Sequence, residues 1–106
     1  LAKFNIEITF VPPSVAEDIE KYIKPNTVLI LLESPGSNTF EIQDIPAISA
    51  IAEKHDIVTA LDNTWATPLY LKPFTLGVDV SIQAVSKYIS GYSDVLMGTV
   101  TVNERY

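Results

Sequence analysis

Apolar residues in this chain fall into short blocks separated by prolines, glycines and polar clusters, and the period inside each block predicts what it forms. Ile6 to Val11 alternates apolar and polar positions with β-branched content, which predicts a strand that Pro12-Pro13 stops. Ser14 can cap a helix through VAEDIEKYI, with Glu17 and Asp18 near its start and Lys21 and Lys24 near its end, as the helix dipole favours. TVLILLE, residues 27–33, is a nearly continuous apolar run, too short for a typical helix, and predicts a strand covered on both faces. Asp44 is the expected N-cap of the next helix, with Pro46 tolerated in its first turn and Ile45, Ile48, Ile51 and Ala52 forming one apolar stripe. IVTALD, residues 57–62, predicts a strand, followed by an irregular stretch from Asn63 to about Gly77. DVSIQAV (79–85) and LMGTVTV (96–102) predict two more strands.

Buried strands alternating with helices imply an α/β fold, a mostly parallel sheet covered by helices on both sides. In such sheets ligands gather outside the carboxyl ends of the strands. Those ends carry Glu33-Ser34, Asp62-Asn63-Thr64 and Ser86-Lys87, three polar clusters expected on one edge.

Composition narrows the function classes. The 106 residues, 47% hydrophobic, suit one globular domain or a piece of a larger one. The chain opens on Leu1 and runs at once into NIEITFV without a basic, apolar leader, so a fragment or processed chain is expected. No apolar run approaches the roughly 20 residues that span a bilayer, so a soluble, cytoplasmic protein with no membrane partner is expected. A net charge of −6 disfavours nucleic acid and acidic membranes, which need clustered Lys and Arg, and favours a small-molecule ligand. Absence of cysteine excludes disulfides and thiolate metal sites, and a single histidine, His55, gives no support for a metal site.

The candidate chemistry centres on SIQAVSKYISGYSD, residues 81–94. Lys87 there reads three ways: a snorkelling surface lysine, a structural ion pair, or a nucleophilic amine that binds a carbonyl compound. Asp62, after an apolar run and just before Asn63, Thr64 and Trp65, either caps backbone N–H groups of its loop or partners a protonated ring nitrogen. Ser86 either forms a turn or donates a hydrogen bond to a phosphate. Glu33 and Asp62 as a glycosidase acid–base pair is a weak alternative, since their separation is not set by the sequence.

The ESPGS, DNTWATPL and SIQAVSKYISGYSD segments, in this order and spacing, resemble the Cys/Met-metabolism family of pyridoxal phosphate enzymes, and the resemblance covers essentially the whole chain. It implies the central part of the large cofactor domain of an aspartate-aminotransferase-like (type I) fold over residues 1–106. On it, Lys87 matches the lysine that carries pyridoxal 5'-phosphate covalently, and Asp62 matches the aspartate that hydrogen-bonds the pyridine nitrogen. Ser86 matches the hydroxyl residue contacting the phosphate, and Thr64 a threonine close to the cofactor. The family's branch that β-eliminates cystathionine to homocysteine, pyruvate and ammonia looks nearest. Alternatives are the γ-synthases, γ-lyases and sulfhydrylases of the family, or a noncatalytic fragment that packs against a partner. The resemblance further implies a sulfur amino-acid substrate and a homo-oligomer built as a dimer of dimers.

Departures accompany the matches. Ala84 stands where many members carry a second phosphate-binding hydroxyl, and Gly36-Ser37-Asn38 replaces a T-N-P. The only arginine, Arg105, matches no carboxylate clamp, and the family's upstream phosphate loop, ring-stacking tyrosine and C-terminal small domain have no counterpart here. These 106 residues alone are therefore expected to hold little cofactor.

Overall fold

The computed structural model describes residues 1–106. Strands β1 (Leu29–Glu33), β2 (Val58–Asp62), β3 (Val80–Gln83) and β4 (Thr99–Val102) form one sheet in the order β1-β2-β3-β4. The first two pairings are parallel and the third is antiparallel, so the sheet is mostly parallel, as the alternation of blocks implies. Helix α1 (Ile45–Lys54) connects β1 to β2, and the β2–β3 connection carries the single-turn α2 (Thr67–Tyr70) and a 3-10 turn over Pro73–Leu76.

Local chemistry accounts for where α1 begins. Asp44 Oδ1 accepts a hydrogen bond from the Ala47 N–H at 3.1 Å, and Pro46 sits in the first turn, where an N–H would have no helical acceptor. The helix buries Ile45, Ile48 and Ala52 against Ile30 and Leu32 of β1 and Leu61 of β2, with Ile51 at the margin of the same core. Val78 completes the contact from the approach to β3. Just before it, Gly77 has φ +84°, and a Cβ there would come within 3.1 Å of Ser49 Cβ on α1. Only glycine satisfies both the left-handed turn and the close passage beneath the helix.

Three expectations need correction. Ile6 to Val11 pairs with no strand, and Ile6, Ile8 and Phe10 are exposed; alternation makes a segment strand-competent, but its N–H and C=O groups need a partner edge. It is held instead by Val11 packed against the core and by an ion pair from Glu7 to Lys24, whose hydrogen bond and charge hold the Glu7 carboxyl below its ordinary range. The stretch after Ser14 forms a 3-10 helix over Ala16–Tyr22, with Val15 at the N-cap position and no side-chain cap. It is tied to the core by Val15 and Ile19.

The third correction concerns the sheet. β1 buries Ile30 and Leu32 but leaves Leu29 and Leu31 exposed, so it is covered on one face rather than two. The reason is that α1, the Ala16–Tyr22 helix and the Pro73–Leu76 turn pack against one another on the same side. An apolar run reads the same whichever side its cover comes from.

A polar latch closes the edge at which β2 and β3 start. Asp79 is 5% exposed, and its Oδ2 accepts hydrogen bonds from the Thr59 N–H (2.9 Å) and hydroxyl (3.1 Å). Its Oδ1 accepts from Asn103 Nδ2 at 3.0 Å, just past β4, while the Asn103 N–H donates to the Asp79 carbonyl at 2.9 Å. Burial pushes the Asp79 carboxyl up, but the hydrogen bonds from Thr59 and Asn103, with the Arg105 charge, outweigh it and hold the group below its ordinary range. Three strands are thus tied through one carboxylate.

In the full-length protein, Asp79→Ala is expected to cost about 2–3 kcal/mol of stability in chemical denaturation, the range for donors left unpaired around a buried charge. Since the folded-state value is depressed, the contribution is present above the ordinary aspartate range and lost as pH falls through the folded-state value. Wild-type stability should therefore fall on the acid side more steeply than that of Asp79→Asn; parallel acid-side curves would count against the latch.

Candidate functional site

Parallel register brings the functional edge together. Glu33 at the end of β1 lies opposite Asp62 at the end of β2, and Asp62 lies opposite Ile82 of β3. Beyond these ends, the exits of the three strands enclose a cleft of about 300 Å³ lined by Glu33, Thr64, Trp65 and Lys87, with Ser37, Phe40 and Tyr88 on its walls. A larger groove of about 550 Å³ lies elsewhere, among Phe74, Ser81, Gln83 and Thr99, and holds none of the candidates Lys87, Asp62, Ser86 and Thr64.

Lys87 does not end a buried strand. β3 stops at Gln83, and Lys87 occupies the turn beyond, its N–H donating to the Ala84 carbonyl at 3.0 Å and its own carbonyl accepting from Gly91 at 3.0 Å. Its side chain is exposed and takes part in none of the five ion pairs of the chain. Of the three sequence readings, the ion pair is therefore excluded within this chain. A solvated amine remains, facing a concave surface.

Thr64 is buried, and its Oγ1 accepts the Ala84 N–H at 2.8 Å, fastening the exit of β2 to the exit of β3 that leads into the Lys87 turn. Asp62 is half-buried and is not on the cleft wall. Its Oδ1 accepts the Thr64 N–H at 3.0 Å, the loop-capping role, whereas its Oδ2 receives no hydrogen bond from the protein. The two readings of Asp62 are thus compatible, one oxygen for each. Ser86 turns elsewhere: its Oγ accepts the Met97 N–H at 2.9 Å and donates to the Met97 carbonyl at 3.3 Å.

On the opposite wall, sequence reasoning weighed Glu33 only as a strand-end carboxylate and a weak acid–base partner of Asp62. Trp65 and Phe40 meet edge to face, with centroids 6.2 Å apart and planes at 74°. Glu33 is held from both ends of the loop that follows it, its carboxylate accepting from the Ser37 hydroxyl and its N–H donating to Gln43 Oε1 at 3.1 Å. The available signal was the four-residue spacing of Glu33 and Ser37 around a proline and a glycine. Arg105 is remote: it pairs with Asp56 and lies over the Tyr106 ring at 5.4 Å, at the strand edge away from the cleft.

Comparison with known proteins fits this arrangement. The model of the family described as Cys/Met metabolism PLP-dependent enzymes matches residues 1–106. The chain belongs to that family. It is 54% identical over 104 residues to a putative cystathionine β-lyase of Saccharomyces cerevisiae, covering 98% of this chain and 31% of that protein. It is also 50% identical over 100 residues to an L-alanine/L-glutamate racemase of Wolbachia pipientis, covering 94% of this chain and 24% of the relative. Among solved structures, cystathionine γ-lyase from Lactobacillus plantarum complexed with L-serine superimposes with a TM-score of 0.93 at 36% identity, over 98% of this chain and 27% of that one. The chain thus spans less than a third of the length of these relatives.

The donor set suits a pyridoxal cofactor in part. Lys87 offers an amine with no competing partner, and Asp62 offers an oxygen with no protein donor. The phosphate end is poorly served, because the one proton of Ser86 is directed to Met97 and Ala84 brings no hydroxyl.

Thr64→Val leaves the Ala84 N–H without its acceptor and is expected to cost about 1–3 kcal/mol in denaturation of the cofactor-free full-length protein. Thr64→Ser should restore most of it. Equal stability of valine and serine variants would remove Thr64 from the strand-fastening role.

Proposed function

We propose that the full-length protein containing this chain is a pyridoxal phosphate-dependent carbon–sulfur lyase. Its reaction converts cystathionine and water to homocysteine, pyruvate and ammonia. The observation that supports this most is the unpaired Lys87 amine in a cleft at the same strand edge as Asp62, whose Oδ2 has no donor within the protein. Similarity to relatives named cystathionine β-lyase favours β-elimination of that substrate within the family.

In this reading Lys87 carries the cofactor and Asp62 pairs with its protonated ring nitrogen, Oδ1 staying on the Thr64 N–H to hold the carboxylate in place. When bound, pyridoxal phosphate supplies an electron sink for charge developing at the substrate Cα. Lys87, tethered in the Ala84–Gly91 turn, is the base that takes the Cα proton, and its exposure allows the amine to swing within the cleft. Thr64 stands beside the cofactor and sets the spacing between the two strand exits; Ser86 contributes one phosphate contact at most.

Borohydride treatment of the full-length holoenzyme followed by peptide mapping should place the cofactor mass on Lys87; a different lysine, or none, would end the assignment. Lys87→Ala should lower pyruvate formation by at least about a hundredfold, the lower end for loss of a positioned proton-transfer group. Product analysis then separates the family's chemistries: pyruvate from cystathionine supports β-elimination, 2-oxobutanoate points to γ-elimination, and a racemised amino acid without elimination points to the chemistry of the Wolbachia relative.

A further inference from the structure

Glu33 is the cleft's unexplained charge. It is the one carboxylate among the residues lining the cleft, and it belongs to none of the chain's five ion pairs, although Lys87 lines the same cleft. Glu33 is also held: the Ser37 hydroxyl donates to its carboxylate, Gln43 Oε1 receives its N–H, and β1 pairing through Asp62 sets its backbone. The rings of Trp65 and Phe40, in their edge-to-face pair, line the same cleft, with Trp65 44% exposed. A braced carboxylate sharing a cleft with exposed aromatic rings can receive an alkylammonium group, the charge being met by the carboxylate and the carbon chain by the rings.

We propose that Glu33 is a specificity-determining residue that receives the ammonium group on the leaving side of the substrate, with Trp65 against the adjoining carbon chain. The proposal rests on the function proposed above, in which Lys87 engages the cysteine half of cystathionine. The homocysteine half then carries a second ammonium, and within this chain Glu33 is the cleft carboxylate that can meet it. No arginine of this chain reaches the cleft, because Arg105 is engaged by Asp56. What these residues can recognise is therefore the cationic rather than the carboxylate end of that half.

The test compares L-cystathionine with S-(3-carboxypropyl)-L-cysteine, which differs only by replacement of the distal ammonium with hydrogen. In the full-length Lys87→Ala variant, where turnover is suppressed, calorimetric binding should favour cystathionine by roughly tenfold, as expected of a charged contact in a cleft lined by aromatic rings. Adding Glu33→Gln should abolish that preference while leaving the affinity for the mono-amino compound within about twofold, since an interaction that compound cannot make is not lost. In the active enzyme, Glu33→Gln should raise the KM for cystathionine and leave kcat nearly unchanged. A preference retained by Glu33→Gln, or one never present, overturns the proposal. Should Glu33→Gln fail to fold, Glu33→Asp, which draws the charge back by one methylene, should cut the preference at least threefold, and an undiminished preference would overturn the proposal equally. Absence of pyruvate from the wild-type enzyme would defeat the lyase reading, whereas the binding comparison addresses Glu33 independently of it.

Discussion

Parallel pairing of β1, β2 and β3 is the constraint from which the rest of the molecule follows. Parallel strands end together, so Glu33 and Asp62 face each other by register, and the chain beyond Gln83 is delivered to the same edge. Each strand must then be regained through a connection long enough to return to the opposite edge. α1 supplies one return and the 63–79 segment the other. The cleft is thus a product of topology before it is a product of any side chain. Asp79 and Asn103 close the opposite edge, leaving hydrogen-bonded closure at one end of the strands and polar side chains free to act at the other.

What the chain disclosed on inspection divides along the line between local and non-local causes. α1 was legible because Asp44, Pro46 and the apolar stripe act within a few residues of one another, and β2 because VTALD has few ways to be buried. Ile6 to Val11 misled because strand formation depends on an edge that residues far away must provide. β1 misled more subtly: its apolar run fits one covered face as well as two, and the side on which the helices pack is not written in it.

The site was legible to a similar depth. Lys87, Asp62, Ser86 and Thr64 were named as candidates through the ordered family segments; the register brings the ends of β1 and β2 and the exit of β3 to one edge, with Thr64 and Lys87 lining the cleft and Asp62 off its wall. The surroundings were not. That Lys87 sits exposed in a turn rather than at a buried strand end, and that the hydroxyl of Ser86 is engaged by Met97, depend on where β3 stops and β4 begins. Glu33 was read only as a strand-end carboxylate and a weak partner for Asp62 for the same reason: a carboxylate at the end of an apolar strand shows its surroundings only once the loop carrying Ser37, Phe40 and Gln43 has folded.

The bond between Ser86 and Met97 gives β4 a role that its wholly exposed residues conceal. β4 contributes no side chain to the cleft, yet the segment entering it holds the residue immediately before Lys87 through both the N–H and the carbonyl of Met97. The turn carrying the amine is therefore suspended between two supports, Thr64 gripping its inner end through Ala84 and Met97 gripping it one residue before the lysine. The lysine side chain is a short arm on a pivot held at two points. Its reach is governed by side-chain rotation, while the antiparallel strand acts as the bracket that keeps the pivot still.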